Sequence, residues 1–299
     1  MSIRIGDAAQ NFRLNDNIQN MRSRMSELQM DISTGKSARN YADIASDASV
    51  LINSKEQRQI SDNFVSQNEQ VLDRMTAMEG VLSSVADLTE RFRNVLIQRI
   101  DDSAGDSVPL PAEADAMREQ LASLLNTRMD ERFIFSGSRT DQQPVVLPAT
   151  PITTVDSTLY YQGDEVTLTV RAELDIEVEY GITADENAFA RLFGTFGRAT
   201  EAHANDDQAE LEASLQQITL AIEEIAEMRG RLGTNAARLE AITEGQRANV
   251  NYLDQTISRI EDTNLPEAIT QISNDQANLE ATYATISRIS QLSLVDFLQ

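Results

Sequence analysis

The sequence predicts a mainly α fold: a long antiparallel coiled-coil helical bundle formed by the N- and C-terminal arms, with a small β domain between them. Three observations predict this class. Apolar residues recur every three or four positions in both halves of the chain, as on helices that pack along a narrow seam. Five of the 6 prolines lie between positions 109 and 151, outside those stretches. Between positions 166 and 180 the apolar period changes to two, which is typical of strands.

In the first half, one helical stretch ends near Gly35 and a second follows it. The first stretch carries apolar residues spaced by three or four positions: Ile18, Met21, Met25, Leu28 and Ile32. A heptad seam then runs from Val71 to Leu96 and predicts a helix over residues 64–99, with Thr89 as the one polar residue in the seam. Because narrow seams bury little area on a single helix, these helices need partner helices.

The second half carries a stronger seam, which keeps one register from Leu211 to Ile260. Three positions of this seam are polar: Arg229, Thr243 and Gln246. Gly230 and Gly233 also fall inside it, and they predict either close helix packing or a kink. A third helical stripe follows Pro266 and ends in a dense apolar segment at 289–298.

Alternating apolar residues predict strands in the middle of the chain. Every second position from Val166 to Tyr180 is apolar, and most positions between them are charged or polar. This pattern predicts a hairpin or meander with one solvated face. A proline-rich segment at 144–151 and a turn at 162–164 precede the strands. The β region is therefore an insertion between two helical arms.

The composition excludes several kinds of partner and chemistry. Lys and Arg total 25 against 48 Asp and Glu, which gives a formal net charge of −23. This acid excess argues against nucleic acid and against anionic membrane surfaces as partners. With no Cys and a single His, the chain lacks the residues for disulfides, thiol chemistry and the usual His-rich metal sites. No signal peptide and no bilayer-spanning segment are recognisable.

No catalytic or metal-binding constellation stands out either. Residues 34–37, Thr-Gly-Lys-Ser, resemble the end of a phosphate-binding loop, but the glycine required five residues before Gly35 is absent. A metal site would have to combine His203 with Asp206 and Asp207, and solvated residues near a helix start explain this segment better. Acidic pairs such as 261–262 are interpreted as solvated helix faces. We expect no enzyme activity, no cofactor and no metal.

The two ends of the chain resemble bacterial flagellins. Residues 28–36, Leu-Gln-Met-Asp-Ile-Ser-Thr-Gly-Lys, are similar to a signature near the flagellin N-terminus. Residues 231–239, Arg-Leu-Gly-Thr-Asn-Ala-Ala-Arg-Leu, resemble a stretch in the second half of flagellins, and residues 260–265 and 287–294 resemble the flagellin C-terminal domain. The order of these motifs, and their place at both ends, make the resemblance specific for most of the helical chain.

Two branches of that superfamily fit the sequence. Residues 132–144 and 159–164 are similar to segments that lead into the β domain of the hook–filament junction branch (hook-associated protein 3), and residues 292–298 are also closer to that branch. Residues 41–49 depart from the usual Ser-Asp-Asp-Pro that follows the Thr-Gly-Lys motif. The alternative is a flagellin that polymerises into the long filament. A cytoplasmic coiled-coil scaffold is less favoured, because it leaves both terminal motifs unexplained.

The resemblance to the junction branch implies a structural subunit that connects hook to filament by helix–helix packing of its two arms. Residues 1–45 with 262–299 are then terminal helices of an inner tube, 46–140 with 189–261 a helical bundle domain, and 141–188 a small β insertion domain. The assembly interface is assigned to apolar residues of the terminal helices: Ile5, Phe12, Ile18, Met21, Met25, Leu28, Ile32, Leu265, Ile269, Ile272, Leu279, Tyr283, Ile286, Ile289, Leu292, Leu294, Phe297 and Leu298.

The same resemblance implies partners and a location. The partners are copies of the chain itself, a hook-side junction protein, flagellin on the filament side, and a flagellar export chaperone on the C-terminal segment, with no nucleic acid and no membrane. The location is the extracellular flagellum, reached by secretion through the flagellar type III export apparatus. We expect the terminal arms to become ordered when they pack against neighbouring copies.

Overall fold

The computed structural model describes residues 2–37, 46–101 and 109–297, and within these ranges it describes the side chains from residue 12 to residue 288. These residues form six helices and four short strands, which confirms the predicted mainly α fold with a small β region. The elements are α1 Ser2–Thr34, α2 Ala48–Ile100, α3 Leu110–Leu125, β1 Arg128–Met129, β2 Arg132–Phe133, β3 Thr169–Glu173, β4 Ile176–Glu179, α4 Asn187–Ala204, α5 Gln208–Glu261 and α6 Leu265–Phe297. No bilayer-spanning helix occurs in the part of the chain that the structure describes.

The chain divides into two compact units. Unit 1 consists of Met1–Gln59 and Val250–Gln299, and it holds α1, α6, the start of α2 and the end of α5. Unit 2 is Ile60–Asn249, and it holds the other helices and all four described strands. The three-part division by domain that the sequence suggests stays a prediction.

The predicted seam of the first half lies in the core of unit 2. Its members are buried: Val71, Met75, Met78, Leu82, Val85, Phe92 and Leu96. Thr89 is fully buried among them, and its hydroxyl donates to the carbonyl of Val85 one turn earlier, so no polar group of this side chain is left unpaired. The helix is longer than the sequence predicted, because it begins at Ala48 instead of residue 64.

Within unit 2, α2 and α5 run antiparallel. The guanidinium of Arg247 donates to Glu69 at 2.5 Å, and that of Arg229 donates to Glu79 at 2.7 Å, so the partners follow opposite orders along the two helices. Arg229 was one of the polar seam positions. The other two are buried and bonded: Thr243 donates to the carbonyl of Leu239, and Gln246 donates to Glu173 at the end of β3.

Strands β3 and β4 form the hairpin that the period-two pattern indicates. Val170 pairs with Val178, and both are buried. The strands are shorter than the alternating segment because the chain turns at Leu174, which is 59% exposed, and because Val166 precedes β3. The side-chain amide of Asn68 donates to the carbonyl of Ala172 at 3.1 Å and thereby ties the hairpin to α2.

Helix α4 carries the aromatic part of the unit 2 core, which the sequence analysis did not single out. Its phenylalanines contact rings from three other segments: Phe196 with Phe92, Phe189 with Phe135, and Phe193 with Tyr160, at centroid distances of 4.7, 6.4 and 4.2 Å. Glycines let this helix approach the loop at 152–155 closely. A Cβ atom on Gly197 would lie 2.1 Å from the carbonyl oxygen of Ile152.

Candidate assembly interface

Within unit 1, the helices that carry the predicted interface, α1 and α6, pack against each other in antiparallel orientation. Arg24 holds Asp275 with two hydrogen bonds, Nε to Oδ2 at 2.8 Å and Nη2 to Oδ1 at 2.9 Å. Nearer the end of α1, Lys36 forms an isolated antiparallel bridge with Asp262. Asp275 is 4% exposed, and its buried carboxylate would destabilise unit 1 without a partner. The two hydrogen bonds from the Arg24 guanidinium compensate this negative charge.

The two terminal motifs of the sequence meet where α1 ends and α6 begins. Gly35 follows the helix with φ +73°, a conformation that glycine adopts without strain, and its carbonyl accepts from the amide of Thr263 at 2.9 Å. The amide of Ser37 donates to the carbonyl of Glu261 at 2.8 Å. Residues 34–37 are therefore a helix end paired with the α5–α6 connection, in agreement with the helix–loop boundary expected there.

Glu261 is the charged centre of this junction. Its side chain is 8% exposed, and it accepts hydrogen bonds from the ammonium groups of Lys36, at 2.5 Å, and Lys55. Burial by itself raises the pKa of Glu261, but the hydrogen bonds from the two lysines outweigh burial and hold the pKa below the ordinary glutamate value. The interpretation of the pair 261–262 as a solvated helix face was wrong for Glu261.

The lowered pKa of Glu261 predicts that the junction weakens in acid. A carboxyl group whose pKa is lower in the folded chain stabilises it above the unfolded pKa, about 4.3, and loses this effect as pH falls through the lowered value. We expect hydrogen exchange at the amides of Ser37 and Thr263, corrected for intrinsic rates, to accelerate from pH 6 to pH 3. In Glu261→Gln the exchange should be fast at both pH values, whereas Glu280→Gln, an exposed control further along α6, should behave like the native chain. Equal protection at pH 6 and pH 3 in the native chain would contradict this role.

The eighteen predicted interface residues fall into four groups. Ile18 and Leu279 are buried within unit 1. Six are partly buried: Met21, Met25, Leu28, Ile32, Ile272 and Ile286. Four are exposed: Phe12, Leu265, Ile269 and Tyr283. The side chains of the remaining six lie outside the described residues: Ile5, Ile289, Leu292, Leu294, Phe297 and Leu298.

The exposed group gives the terminal helices an apolar surface that the described residues leave uncovered. Phe12 is 72% exposed and Ile269 54% exposed. Single exposed apolar residues are normal on soluble proteins. Here, however, they belong to two helices that already pack against each other through other residues. Tyr283 also contacts the guanidinium of Arg22, 5.8 Å from its ring centroid, and the exposed area of the other three is available to another molecule.

A second contact joins the two motifs that lead into the β region, residues 132–144 and 159–164. Asp164 accepts hydrogen bonds from the amide of Ser138, at 2.8 Å, from the hydroxyl of Ser138 and from the amide of Val166, at 3.2 Å. The bonds from Ser138 and Val166 lower the pKa of Asp164 from its ordinary value. A Cβ on Gly137, whose φ is +67°, would lie 2.2 Å from a carboxylate oxygen of Asp164. The residues Gly137 and Ser138 of one motif and Asp164 of the other are therefore explained by their contact with each other within unit 2.

The residues considered for metal binding serve another purpose. Nδ1 of His203 accepts a hydrogen bond from Arg99 at 2.8 Å, and Asp206 accepts one from the same guanidinium at 2.9 Å. Over the described ranges, which omit 38–45 and 102–108, no group of three or more His, Cys, Asp or Glu side chains is placed to hold a metal ion.

The model of the bacterial flagellin N-terminal helical region matches residues 7–140, and that of the bacterial flagellin C-terminal helical region matches residues 215–298. Together the two matches cover most of the chain, in the order and at the ends where the motifs lie. The chain belongs to the flagellin family. The junction of Lys36 with Glu261 therefore connects the N-terminal and C-terminal regions that define this family. No curated protein is similar enough to this flagellin-family chain to count as a match.

Solved structures share the fold of this flagellin-family chain. FlgL of Bacillus cereus is 20% identical with a TM-score of 0.55, and the match covers 70% of this chain and 99% of that one. Hook associated protein-3 of Legionella pneumophila is 15% identical with a TM-score of 0.57, covering 71% and 98%. The flagellar junction protein FlgL of Legionella pneumophila is 16% identical with a TM-score of 0.53, covering 70% and 98%. At these identities the likeness is one of fold.

Proposed function

We propose that this chain is a structural subunit of the bacterial flagellum and that it forms the junction layer between hook and filament. The observation that carries the proposal is the match to both flagellin regions in a chain whose fold is that of FlgL structures. The role requires no catalytic chemistry. Its work is mechanical: the subunit holds two neighbouring assemblies together through helix–helix contacts.

The terminal helices carry the contacts in this proposal. The buried positions, among them Ile18 and Leu279, hold α1 and α6 together, and the exposed ones, among them Phe12 and Ile269, pack against neighbouring subunits. A side chain of this size contributes about 1.5–3 kcal/mol when it is fully buried. Residues 1–45 and 262–299 are proposed as the inner-tube part of the subunit, 46–140 with 189–261 as the bundle domain, and 141–188 as the β insertion domain.

A subunit between hook and filament has neighbours of three kinds. Copies of the chain form the layer, a hook-side junction protein lies on one side, and flagellin lies on the other. The subunit reaches this position by secretion through the flagellar export apparatus, with a chaperone on its C-terminal segment until it is exported.

Immunogold labelling of intact flagellated cells with antibody against this chain tests the location. We expect a single band of gold where the hook meets the filament. Gold along the whole filament would identify a flagellin instead, and absence of gold from flagella would contradict both assignments and favour the coiled-coil scaffold.

The behaviour of the purified chain separates the two flagellar assignments independently. A flagellin at high concentration, seeded or salted out, polymerises into long filaments, whereas we expect this chain to remain in small species under the same conditions. Long filaments in electron micrographs of the purified chain would contradict the junction role.

A further inference from the structure

A small cavity lies in unit 2 where α2, β2 and the β3–β4 hairpin meet. Its volume is about 190 Å³, and its lining includes the apolar side chains of Met78, Phe133 and Leu168 and the ring of Tyr180. Apolar cavities of roughly 150 Å³ accept a molecule of the size of benzene. This cavity is therefore large enough for one branched aliphatic side chain from outside.

Two arginines also line the cavity. Arg74 is partly buried and Arg132 is exposed, and neither guanidinium forms a hydrogen bond or an ion pair with any residue in the described part of the chain. In a chain with a net charge of −23 this is a local excess of positive charge. It favours an occupant whose apolar side chain is accompanied by carboxylates.

The chain itself displays a segment of this chemistry. Leu174, at the turn between β3 and β4, is 59% exposed and stands between Glu173 and Asp175. Glu173 accepts a hydrogen bond from Gln246, which leaves Asp175 as the exposed carboxylate at the turn. We propose that the cavity receives the hairpin turn of a second copy of this chain, with Leu174 between the apolar side chains and Asp175 beside the two guanidinium groups.

A chain cannot fill its own cavity in this way. Leu168 lines the cavity at the base of the hairpin, and Leu174 lies six residues further along an extended strand, at about 3.3 Å per residue, hence roughly 20 Å away. The turn of one copy must therefore enter the cavity of the next. Such a contact joins two different surfaces, and repeated contacts of this kind close into a ring when the rotation between copies permits. The inference rests on the proposed function, in which identical copies form a layer.

Intermolecular disulfide formation tests this contact, because the native chain has no Cys. Thr140 lines the cavity, and its side chain is only partly buried. Two chains, one carrying Thr140→Cys and the other Leu174→Cys, each with a different tag, are produced together in the bacterium in place of the native chain. Flagella are isolated and treated with a mild oxidant, and the disulfide-linked heterodimer is measured by its two tags.

The matched control replaces Leu174→Cys by Leu159→Cys, since Leu159 is 78% exposed and is also in unit 2 but lacks acidic neighbours. A cysteine at position 174 keeps both acidic neighbours and lies beside the cysteine at position 140 in the docked state, whereas a cysteine at position 159 does not lie at the turn. Because this proximity raises the effective concentration of the two thiols, we expect at least about ten times more heterodimer with Leu174→Cys than with the control. Adding Arg74→Glu and Arg132→Glu to the Thr140→Cys chain should lower the yield, and Asp175→Arg on the other chain should restore it.

Equal yields with the two cysteine positions, with both tagged chains present in the isolated flagella, would overturn the docking and leave the proposed function untouched. Absence of both tagged chains from flagella would contradict the proposed function and, with it, this contact.

Discussion

Ile269→Asp is expected to leave the monomer folded and to prevent its incorporation into flagella. Ile269 is 54% exposed in α6, so a carboxylate at this position is solvated in the free chain. In the assembled layer the same carboxylate would be buried without a partner, at a cost of about 3–5 kcal/mol. This cost corresponds to a loss of incorporation of at least about a hundredfold. The measurement is the amount of variant in isolated flagella relative to the amount secreted, together with swimming motility.

Two further variants show whether Ile269→Asp acts by changing the exposed apolar surface or by destabilising α6. Gln271→Asp adds the same charge to an exposed polar position of α6 and should leave incorporation within about twofold of native, because exposed substitutions change free energies by only about 0.5 kcal/mol. Leu279→Asp places the charge at a buried position and should also disorder the α1–α6 pair in the free chain, as measured by hydrogen exchange. Normal incorporation of Ile269→Asp would contradict the proposed interface.

Gly197→Ala is expected to destabilise unit 2 by about 3 kcal/mol, the upper end of the cost of overpacking a core. The added methyl group would lie 2.1 Å from the carbonyl oxygen of Ile152, so either α4 or the loop at 152–155 must move. The same movement would disturb the ring contacts of Phe193 and Phe196 on that helix. Urea unfolding followed by far-UV circular dichroism, with hydrogen exchange of α4, measures the loss.

The matched control is the same substitution at Gly233, in the middle of α5. A Cβ at this position has no atom within 4 Å, and alanine is favoured over glycine inside helices by about 1 kcal/mol. We expect Gly233→Ala to raise the free energy of unfolding of unit 2. The same substitution at the two positions should therefore change stability in opposite directions. A loss of stability in Gly233→Ala, or none in Gly197→Ala, would show that the close approach of α4 to the loop is not what limits stability.

The parts of the fold that sequence predicted are those with a regular apolar period. The heptad seam from Val71 to Leu96 gave the buried face of α2, and the period of two gave the hairpin of β3 and β4. The motifs at both ends gave the family. The expectation that Gly230 and Gly233 bring helices close was wrong, because a Cβ at either position would have no neighbour within 4 Å. The alternative, a kink within α5, stays a prediction.

What sequence could not predict depends on contacts between residues far apart in the chain. In the sequence Glu261 is one of two adjacent acidic residues on a helix. Its charge is compensated by Lys36 and Lys55, which lie 225 and 206 positions away, and nothing near Glu261 in the sequence indicates these partners. Helix α4 is apolar around most of its surface, since residues 188–190 and 192–197 are all buried. Its polar residues Arg191, Arg198 and Glu201 do recur at helical spacing, so the sequence marks a helix here, but it does not show that the phenylalanines of this helix meet Phe92, Phe135 and Tyr160.

The bridge between Lys36 and Asp262 also has a consequence for truncated chains. Apart from the helix-end bond from the amide of Gly35 to the carbonyl of Asp31, the backbone–backbone hydrogen bonds of residues 35–37 are made, among the described residues, with the end of α5 and the connection after it, at Glu261 and Thr263. A chain truncated before residue 261 retains all of α1 and α2 but has no partner for this segment. The ordered N-terminal arm thus depends on completed synthesis, and a prematurely terminated subunit should be rejected by the growing structure instead of blocking it.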